Sequence, residues 1–144
     1  MELEKSPKNS ITTVGELLQK KEQKEPYTIQ PTFSVTETAR LMAEHNSDAL
    51  LVISDEDTMI GIVTERDFAR KIILKSKNPE QVRVGEIMTP LSQIISVSVE
   101  TDVRQCARLM LAGRFRNLPV VRNGDIPEGI VSIRDLLLHF LGQH

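Results

Sequence analysis

Residues 61–67 read Gly-Ile-Val-Thr-Glu-Arg-Asp, and residues 129–135 read Gly-Ile-Val-Ser-Ile-Arg-Asp. The two strings are 68 positions apart, since 129 − 61 = 68. A second pair has the same offset: Val-x-x-x-Ala-Arg-Leu-Met begins at Val35 and again at Val103. A looser pair, at 14–17 and 84–87, is 70 positions apart. The chain is therefore an internal duplication, and this repeat decides how the rest of the sequence is interpreted.

Each copy predicts the same order of elements. A short β-prone piece at 27–29 or 95–97 precedes an amphipathic helix capped by Ser34 or Asp102. Apolar runs at 49–53 and 118–121 are too short for helices and do not alternate, which is typical of strands covered on both faces. A turn, another strand and a second helix complete each copy. The apolar positions of that second helix are Ala69, Ile72 and Ile73 in one copy and Ile133, Leu136, Leu137, Phe140 and Leu141 in the other.

This order predicts an α/β (α+β) fold made of two β-α-β-β-α repeats. We place the first repeat at residues 13–75, a connector at 76–83 and the second repeat at 84–142. Residues 1–12 are polar and lack periodicity, so we predict a loose N-terminal tail there.

The composition limits the class of protein. The 144 residues are 40% apolar and 26% charged, with a formal net charge of −2, as in ordinary globular proteins. The N-terminus lacks the apolar core of a signal peptide, and no apolar run approaches the ~20 residues of a membrane span. The single cysteine, Cys106, cannot form an internal disulfide. We therefore expect a cytoplasmic protein that binds neither membrane nor nucleic acid.

The residues most suggestive of chemistry lie where the last strand of each copy meets its second helix. There a hydroxyl, from Thr64 or Ser132, is followed three residues later by a carboxylate, from Asp67 or Asp135. A carboxylate can accept hydrogen bonds from both hydroxyls of a ribose, and unpaired N–H groups at a helix start can hold phosphate. The same spacing is also that of an ordinary capping box, which needs no ligand. Both interpretations stay open from the residues alone.

Taken in order, these motifs resemble the cystathionine-β-synthase (CBS) domain. The similarity spans about residues 14 to 141, so the chain resembles a stand-alone tandem pair, or Bateman module. Its most specific pieces are the two Gly-Ile-Val strings, Val-Gly-Glu-Ile-Met-Thr-Pro at 84–90 and Arg-Asn-Leu-Pro-Val-Val at 116–121. The resemblance implies two repeats packed about a pseudo-two-fold axis. It also implies clefts for AMP, ADP, ATP, NAD(H) or S-adenosylmethionine, with AMP or ATP favoured.

The resemblance also implies roles for individual residues. Asp67 and Asp135 would bind ribose, with Thr64 and Ser132 beside the ribose or phosphate. Phosphate would be held by three arginines: Arg66, Arg134 and Arg116. The adenine would lie against the following residues: Thr28, Ile29, Ala49, Ser96, Val97, Leu118 and Pro119.

The first copy departs from the family pattern in two places. Position 48, which matches Arg116 because 116 − 48 = 68, is an aspartate that would repel phosphate. We therefore predict unequal sites, the one near Arg116 being better equipped for phosphate. The opening segment of the first copy has Leu-Gln-Lys at 18–20 where the second has Met-Thr-Pro, which predicts a longer helix in the first copy.

Other candidate sites are weaker. The three histidines, His45, His139 and His144, have no metal-ligand spacing, and Cys106 falls on the apolar face of its helix. No Ser-His-Asp type of set is recognisable, so we expect neither an enzyme nor a bound metal. Surplus apolar residues on two helices, together with the resemblance, predict a homodimer: Leu109, Leu111 and Leu138.

Two functional hypotheses remain. The first is a non-catalytic regulatory module that binds an adenosine nucleotide and modulates an effector protein in trans, since these 144 residues contain no further domain. The second is a structural or dimerisation adaptor that works without ligand, in which the hydroxyl–carboxylate pairs only cap helices.

Overall fold

A computed structural model describes residues 11–22 and 26–142 of the chain. The tail predicted at residues 1–12 lies mostly outside this range, as does His144. The helices are α1 Val14–Gln19, α2 Val35–His45, α3 Glu65–Phe68 with a π-helical continuation Ala69–Ile73, α4 Val84–Ile87, α5 Val103–Gly113 and α6 Ile133–Phe140. The strands are β1 Thr28–Ile29, β2 Ala49–Ile53, β3 Met59–Thr64, β4 Thr89–Pro90, β5 Asn117–Arg122 and β6 Ile126–Ser132. The predicted mixed fold class is confirmed, and the elements follow the predicted order except that no strand forms at 95–97.

The chain forms two compact units, which we name after their carboxylates. The Asp67 unit contains residues 26–95 and 122–127, and its sheet has the order β1-β2-β3-β4. Strand β1 is parallel to β2, whereas β3 is antiparallel to both β2 and β4. Strand β2 is buried along almost its whole length, as expected for an unbroken apolar run. The core of the Asp67 unit consists of aliphatic side chains from the strands and helices: Ile29, Val35, Met42, Leu50, Val52, Val63, Ile72, Val84 and Ile87.

The Asp135 unit contains residues 11–22, 96–121 and 128–142. Strands β5 and β6 form a two-stranded sheet, to which Val97 adds one parallel bridge opposite Val120. The strand predicted at 95–97 is thus reduced to a single bridge, and Ile95 is exposed. The core again consists mostly of aliphatic residues: Val14, Leu17, Val97, Val103, Cys106, Met110, Leu118, Val120, Val131 and Leu136.

The compact units do not coincide with the sequence repeats, because the opening segments are exchanged. Helix α1, from the first repeat, belongs to the Asp135 unit, where the Val14 N–H donates to the Thr101 carbonyl at 2.8 Å. Helix α4, from the second repeat, belongs to the Asp67 unit, where the Val84 N–H donates to the Phe33 carbonyl at 2.8 Å. Thr12 is also tied down, since its carbonyl accepts from Val103 at 3.0 Å. The repeat boundaries at 13–75, 76–83 and 84–142 therefore stay predictions about sequence.

The two opening segments differ as the sequence predicts. Helix α1 has six residues and α4 has four. Pro90 disfavours the helical conformation of the residue before it, so the chain becomes extended at Met88 and enters β4. Gln19 and Lys20 favour helix, and the chain at their positions forms no strand.

The second helices are less buried than their apolar pattern predicts. Ile72 and Leu136 are buried and pack in the cores. The other large apolar residues of the predicted stripes are exposed: Ile73, Ile133, Leu137, Phe140 and Leu141. A regular apolar spacing therefore identifies one face of each helix. Within each unit, however, only one large residue of that face, Ile72 or Leu136, packs in the core.

Candidate functional site

The candidate site is built in the same way in both units, at the corner where a strand becomes a helix. Thr64 and Ser132 are extended residues that precede the first helical turn. The first N–H of each helix is held by the residue 17 positions earlier: Glu65 donates to the Asp48 carbonyl at 3.2 Å, and Ile133 donates to the Arg116 carbonyl at 2.8 Å. These equivalent bonds place position 48 or 116 beside each corner.

The carboxylates cap the helices, as the capping-box interpretation of the sequence predicts. In the Asp135 unit the Ser132 N–H donates to Asp135 Oδ2 at 2.8 Å, and the Asp135 N–H donates to Ser132 Oγ at 3.1 Å. In the Asp67 unit the Thr64 N–H donates to Asp67 Oδ2 at 2.9 Å, and the Thr64 hydroxyl lies 3.4 Å from the same oxygen. Capping fixes each carboxylate beside the helix N-terminus, where a polar ligand would meet it, so capping and ligand binding are compatible.

Each carboxylate also has a lysine partner that the sequence interpretation missed. Lys71 Nζ lies 3.0 Å from Asp67 Oδ1, and Lys21 Nζ lies 3.0 Å from Asp135 Oδ2. Both carboxylates are largely buried, with 12% and 11% of the side chain exposed for Asp67 and Asp135. Lys71 could have been found, because it is four residues after Asp67 on a helix. Lys21 is 114 residues from Asp135, and no local pattern connects them.

The lysines are tied to backbone as well as to carboxylate. Lys71 donates to the Ile87 carbonyl at 2.7 Å, at the end of α4. Lys21 donates to the Ile130 carbonyl at 2.9 Å, in β6. Each corner therefore contains a balanced pair of charges, and its ammonium group, which has three hydrogens to donate, could also donate to an anion.

The predicted phosphate residues occupy different surroundings. Arg66 and Arg134 are exposed on the first turns of α3 and α6, and Arg116 is exposed just before β5. Asp48, the counterpart of Arg116, is half-buried before β2. The contrast in charge predicted for these two positions thus falls at matching places in the two units, since both carbonyls accept from the first helical N–H.

The residues predicted to surround adenine lie on the strands near each corner. Ile29, Ala49, Val97, Leu118 and Pro119 are buried. Thr28 and Ser96 are half-buried. The Val97 N–H donates to the Pro119 carbonyl, and its own carbonyl accepts from Val121, both at 2.9 Å. The Val97 N–H is therefore already used, whereas its carbonyl oxygen can accept one further hydrogen bond.

The remaining candidates do not add a reactive centre. Cys106 is fully buried, and desolvation raises the pKa of its thiol to about 11, so the thiol stays protonated and acts as a small apolar group. Among residues 11–22 and 26–142, no group of three or more His, Cys, Asp or Glu side chains could hold a metal ion. No helix in the described part of the chain has the length and apolar composition to cross a membrane.

Comparisons with known proteins show which family the chain resembles over most of its length. The family model of the CBS domain matches residues 14–74 and 84–142. A CBS-domain protein from Burkholderia ambifaria is 38% identical, with a TM-score of 0.83 over 91% of this chain and 95% of that chain. The CBS domain pair of protein MJ0100, solved in complex with 5′-methylthioadenosine and S-adenosyl-L-methionine, is 28% identical. Its TM-score is 0.78 over 92% of this chain and 98% of that chain.

A third solved structure is CBSX2 in complex with AMP. It is 27% identical, with a TM-score of 0.75 over 90% of this chain and 96% of that chain. The chain spans about half the length of the curated relatives it matches, namely 54% of each of two relatives that are 34% identical.

Proposed function

Because the chain belongs to the CBS-domain family, we propose that it is a non-catalytic regulatory module that binds an adenosine nucleotide and modulates an effector protein in trans. The observation that carries this proposal is the repeated corner, where Asp67 and Asp135 each share a hydroxyl–carboxylate arrangement at a helix start. The ligands named for its relatives support it, since AMP, 5′-methylthioadenosine and S-adenosylmethionine share an adenosine group.

The proposed binding uses the groups already described. Each carboxylate accepts hydrogen bonds from the ribose hydroxyls, with Thr64 or Ser132 next to the ribose. Apolar strand residues such as Ile29 and Leu118 contact the adenine. Arg116 adds a positive charge near a phosphate at the Asp135 corner, which favours AMP or ATP over an uncharged adenosine compound.

A thermal-shift measurement tests the proposal with AMP, ADP, ATP, NAD, NADH and S-adenosylmethionine. We expect at least one of them to raise the melting temperature of the wild-type protein, because a ligand that binds only the folded state stabilises it. Asp67→Ala and Asp135→Ala should each lose the part of this shift that belongs to their own corner.

Matched controls separate binding from capping. Glu37 caps α2 in the Asp67 unit and Asp102 caps α5 in the Asp135 unit, each as an acid outside the corner. Glu37→Ala and Asp102→Ala should lower the melting temperature without ligand, yet keep the ligand shift. If no ligand at saturation shifts the wild-type protein, the module does not sense nucleotide, and the ligand-independent adaptor is the better explanation.

We also propose that the protein is a homodimer. On α6 a row of exposed apolar residues recurs at positions i, i+4, i+7 and i+8, with Leu137 54% exposed and Phe140 50% exposed. Such a continuous apolar row is typical of a surface covered by another subunit. Light scattering should give twice the chain mass for the wild-type protein, and Leu137→Glu should shift it to the monomer. Lys77→Glu, at an exposed position of the Asp67 unit, serves as the control and should leave the mass unchanged.

The proposed setting is the cytoplasm. A single buried thiol is compatible with a reducing compartment. Fractionation of cells that express the protein would test this placement.

A further inference from the structure

Lys21 joins two parts of the chain that are far apart in sequence. It follows α1 in the opening segment of the first repeat, whereas both of its partners belong to the second repeat. Its ammonium donates to the Ile130 carbonyl at 2.9 Å and to Asp135 Oδ2 at 3.0 Å. The opening segment is therefore fastened at its end through a carboxylate that we propose binds ribose.

The Asp67 unit fastens its own opening segment differently. There the segment continues into β4, and Thr89 pairs with Ile62 in the sheet. Ile130 is the counterpart of Ile62, since 130 − 62 = 68, and Gln19 is the counterpart of Thr89, since 89 − 19 = 70. Because Gln19 ends a helix, no strand is formed at that place, and the Lys21 side chain contacts β6 instead. A side-chain contact thus takes the place of a strand.

The two carboxylates also differ in how their oxygens are used. Each carboxylate oxygen can accept about two hydrogen bonds. Asp135 Oδ2 already accepts from the Ser132 N–H and from Lys21, so both of its positions are used. In the other unit the cation is on the second oxygen: the Thr64 N–H donates to Asp67 Oδ2, whereas Lys71 is on Oδ1.

This difference decides what a ribose must displace. A pair of ribose hydroxyls that contacts both oxygens can approach Asp67 while Lys71 stays in place, once the Thr64 hydroxyl, 3.4 Å from Oδ2, rotates away. At Asp135 the same pair of hydroxyls must take the position of Lys21, because the main-chain N–H of Ser132 is fixed by the strand.

We propose that Lys21 is a latch that nucleotide binding at Asp135 opens. The inference rests on the proposed function and adds a regulatory consequence to it: occupation of this corner releases the end of the opening segment at residues 19–22. At the Asp67 corner Lys71 also donates to the Ile87 carbonyl of the opening segment. That segment nevertheless keeps its main-chain fastening, because β4 stays paired to β3 whatever Asp67 binds.

The first test measures binding of adenosine, which has the ribose hydroxyls but no phosphate. Calorimetry in an Asp67→Ala background reports the Asp135 corner alone. Because the ribose no longer has to displace an ammonium group, Lys21→Gln should tighten adenosine binding by about threefold, which corresponds to about 0.7 kcal/mol. Lys20→Gln is the matched control, since it removes the same charge from the neighbouring residue and should leave the affinity unchanged. Unchanged or weaker adenosine binding in Lys21→Gln would overturn the latch.

The second test measures hydrogen exchange, first without ligand and then with adenosine. The last amides of the opening segment, of Lys20 and residue 21, donate to Leu17 and Leu18 at 3.2 Å. Lys21→Gln should speed hydrogen exchange at these amides in the nucleotide-free protein, and adenosine should do the same to the wild-type chain but not to Asp135→Ala. Lys20→Gln again serves as the control.

The two proposals fail in different ways. If the wild-type protein binds neither adenosine nor AMP, the proposed function is wrong, and the latch loses its ligand. If the protein binds both, yet Lys21→Gln fails to tighten adenosine binding or to speed exchange at these amides, only the latch is wrong.

Discussion

The Asp67 and Asp135 units share a corner but differ in the segment that completes it. Both position a carboxylate in the first turn of a helix, and both neutralise it with a lysine 3.0 Å away. The lysine comes from the same helix in one unit and from the exchanged opening segment in the other. The comparison teaches that a duplicated site can diverge through residues that are not part of its repeated motif.

The origin of that divergence is three residues. Met-Thr-Pro at 88–90 turns the opening segment into β4, whereas Leu-Gln-Lys at 18–20 extends α1. A strand is held by main-chain pairing, which no ligand replaces. The end of α1 is instead held by the Lys21 side chain, which competes with other donors for Asp135. A small change in backbone preference thus decides whether a ligand at the site can release the opening segment.

The largest expected effect is on stability, and it tests how rigidly each opening segment is held against the neighbouring strand. A methyl group added to Gly61 would collide with Met88 and lie 2.8 Å from the Thr89 carbonyl, which strand pairing holds in place. The same group on Gly129 would meet only the end of the Leu18 side chain, at 3.0 Å, which can turn aside. Because overpacking a rigid site costs about 1–3 kcal/mol, Gly61→Ala should lower the free energy of unfolding by about 2–3 kcal/mol.

Gly129→Ala is the counterpart of this variant, and it should cost less than about 1 kcal/mol because its neighbour is flexible. Urea unfolding followed by circular dichroism measures both variants. Equal losses would show that the opening segment of the Asp135 unit is held as rigidly as β4, and the proposed difference between the units would be wrong.

An intermediate effect concerns the charge beside each corner. Arg116→Ala should weaken AMP binding at the Asp135 corner by about tenfold, because a charge-assisted hydrogen bond to phosphate is lost. Adenosine binding should stay the same, since it has no phosphate. Calorimetry with both compounds in the Asp67→Ala background measures this selectivity.

Asp48→Arg is the opposite exchange, made in an Asp135→Ala background. It should strengthen AMP binding at the Asp67 corner and leave adenosine binding unchanged. If Arg116→Ala weakened AMP and adenosine equally, Arg116 would act on the structure of the corner rather than on phosphate.

Much of the fold could be predicted from local patterns in the sequence. Unbroken apolar runs predict β2 and β5, and Ser34 and Asp102 predict the starts of α2 and α5. The internal repeat predicts that both halves share one order of elements. These features depend on neighbouring residues, so a single sequence contains them. The exchange of the opening segments cannot be predicted from such patterns, because each segment could pack against either of two similar repeats.

The candidate site divides in the same manner. Asp67, Asp135 and the hydroxyls before them could be found, since they recur within four residues in each copy. Lys21 could not be found, because it reaches Asp135 only after the exchange brings α1 into that unit. The exposed Phe140 and Leu137 were also unpredictable as such, because periodicity identifies an apolar face without saying what covers it.

The smallest expected effect compares the first long helix of each repeat, α2 and α5, at acid pH. Hydrogen bonds from the Ser34 backbone and hydroxyl lower the pKa of Glu37, and a hydrogen bond from the Arg104 side chain lowers the pKa of Asp102. A carboxylate whose pKa is lower in the folded state stabilises the protein above its ordinary pKa of about 4, and this contribution is lost as the pH falls through the folded value.

Glu37→Gln and Asp102→Asn should therefore each lower the melting temperature slightly at pH 7 and have no such effect near pH 2. Because Glu37 is exposed and Asp102 is partly exposed, the losses should be small in both units and smaller than that of Gly61→Ala. A loss that persisted unchanged at pH 2 would show that these caps act through shape and not through charge.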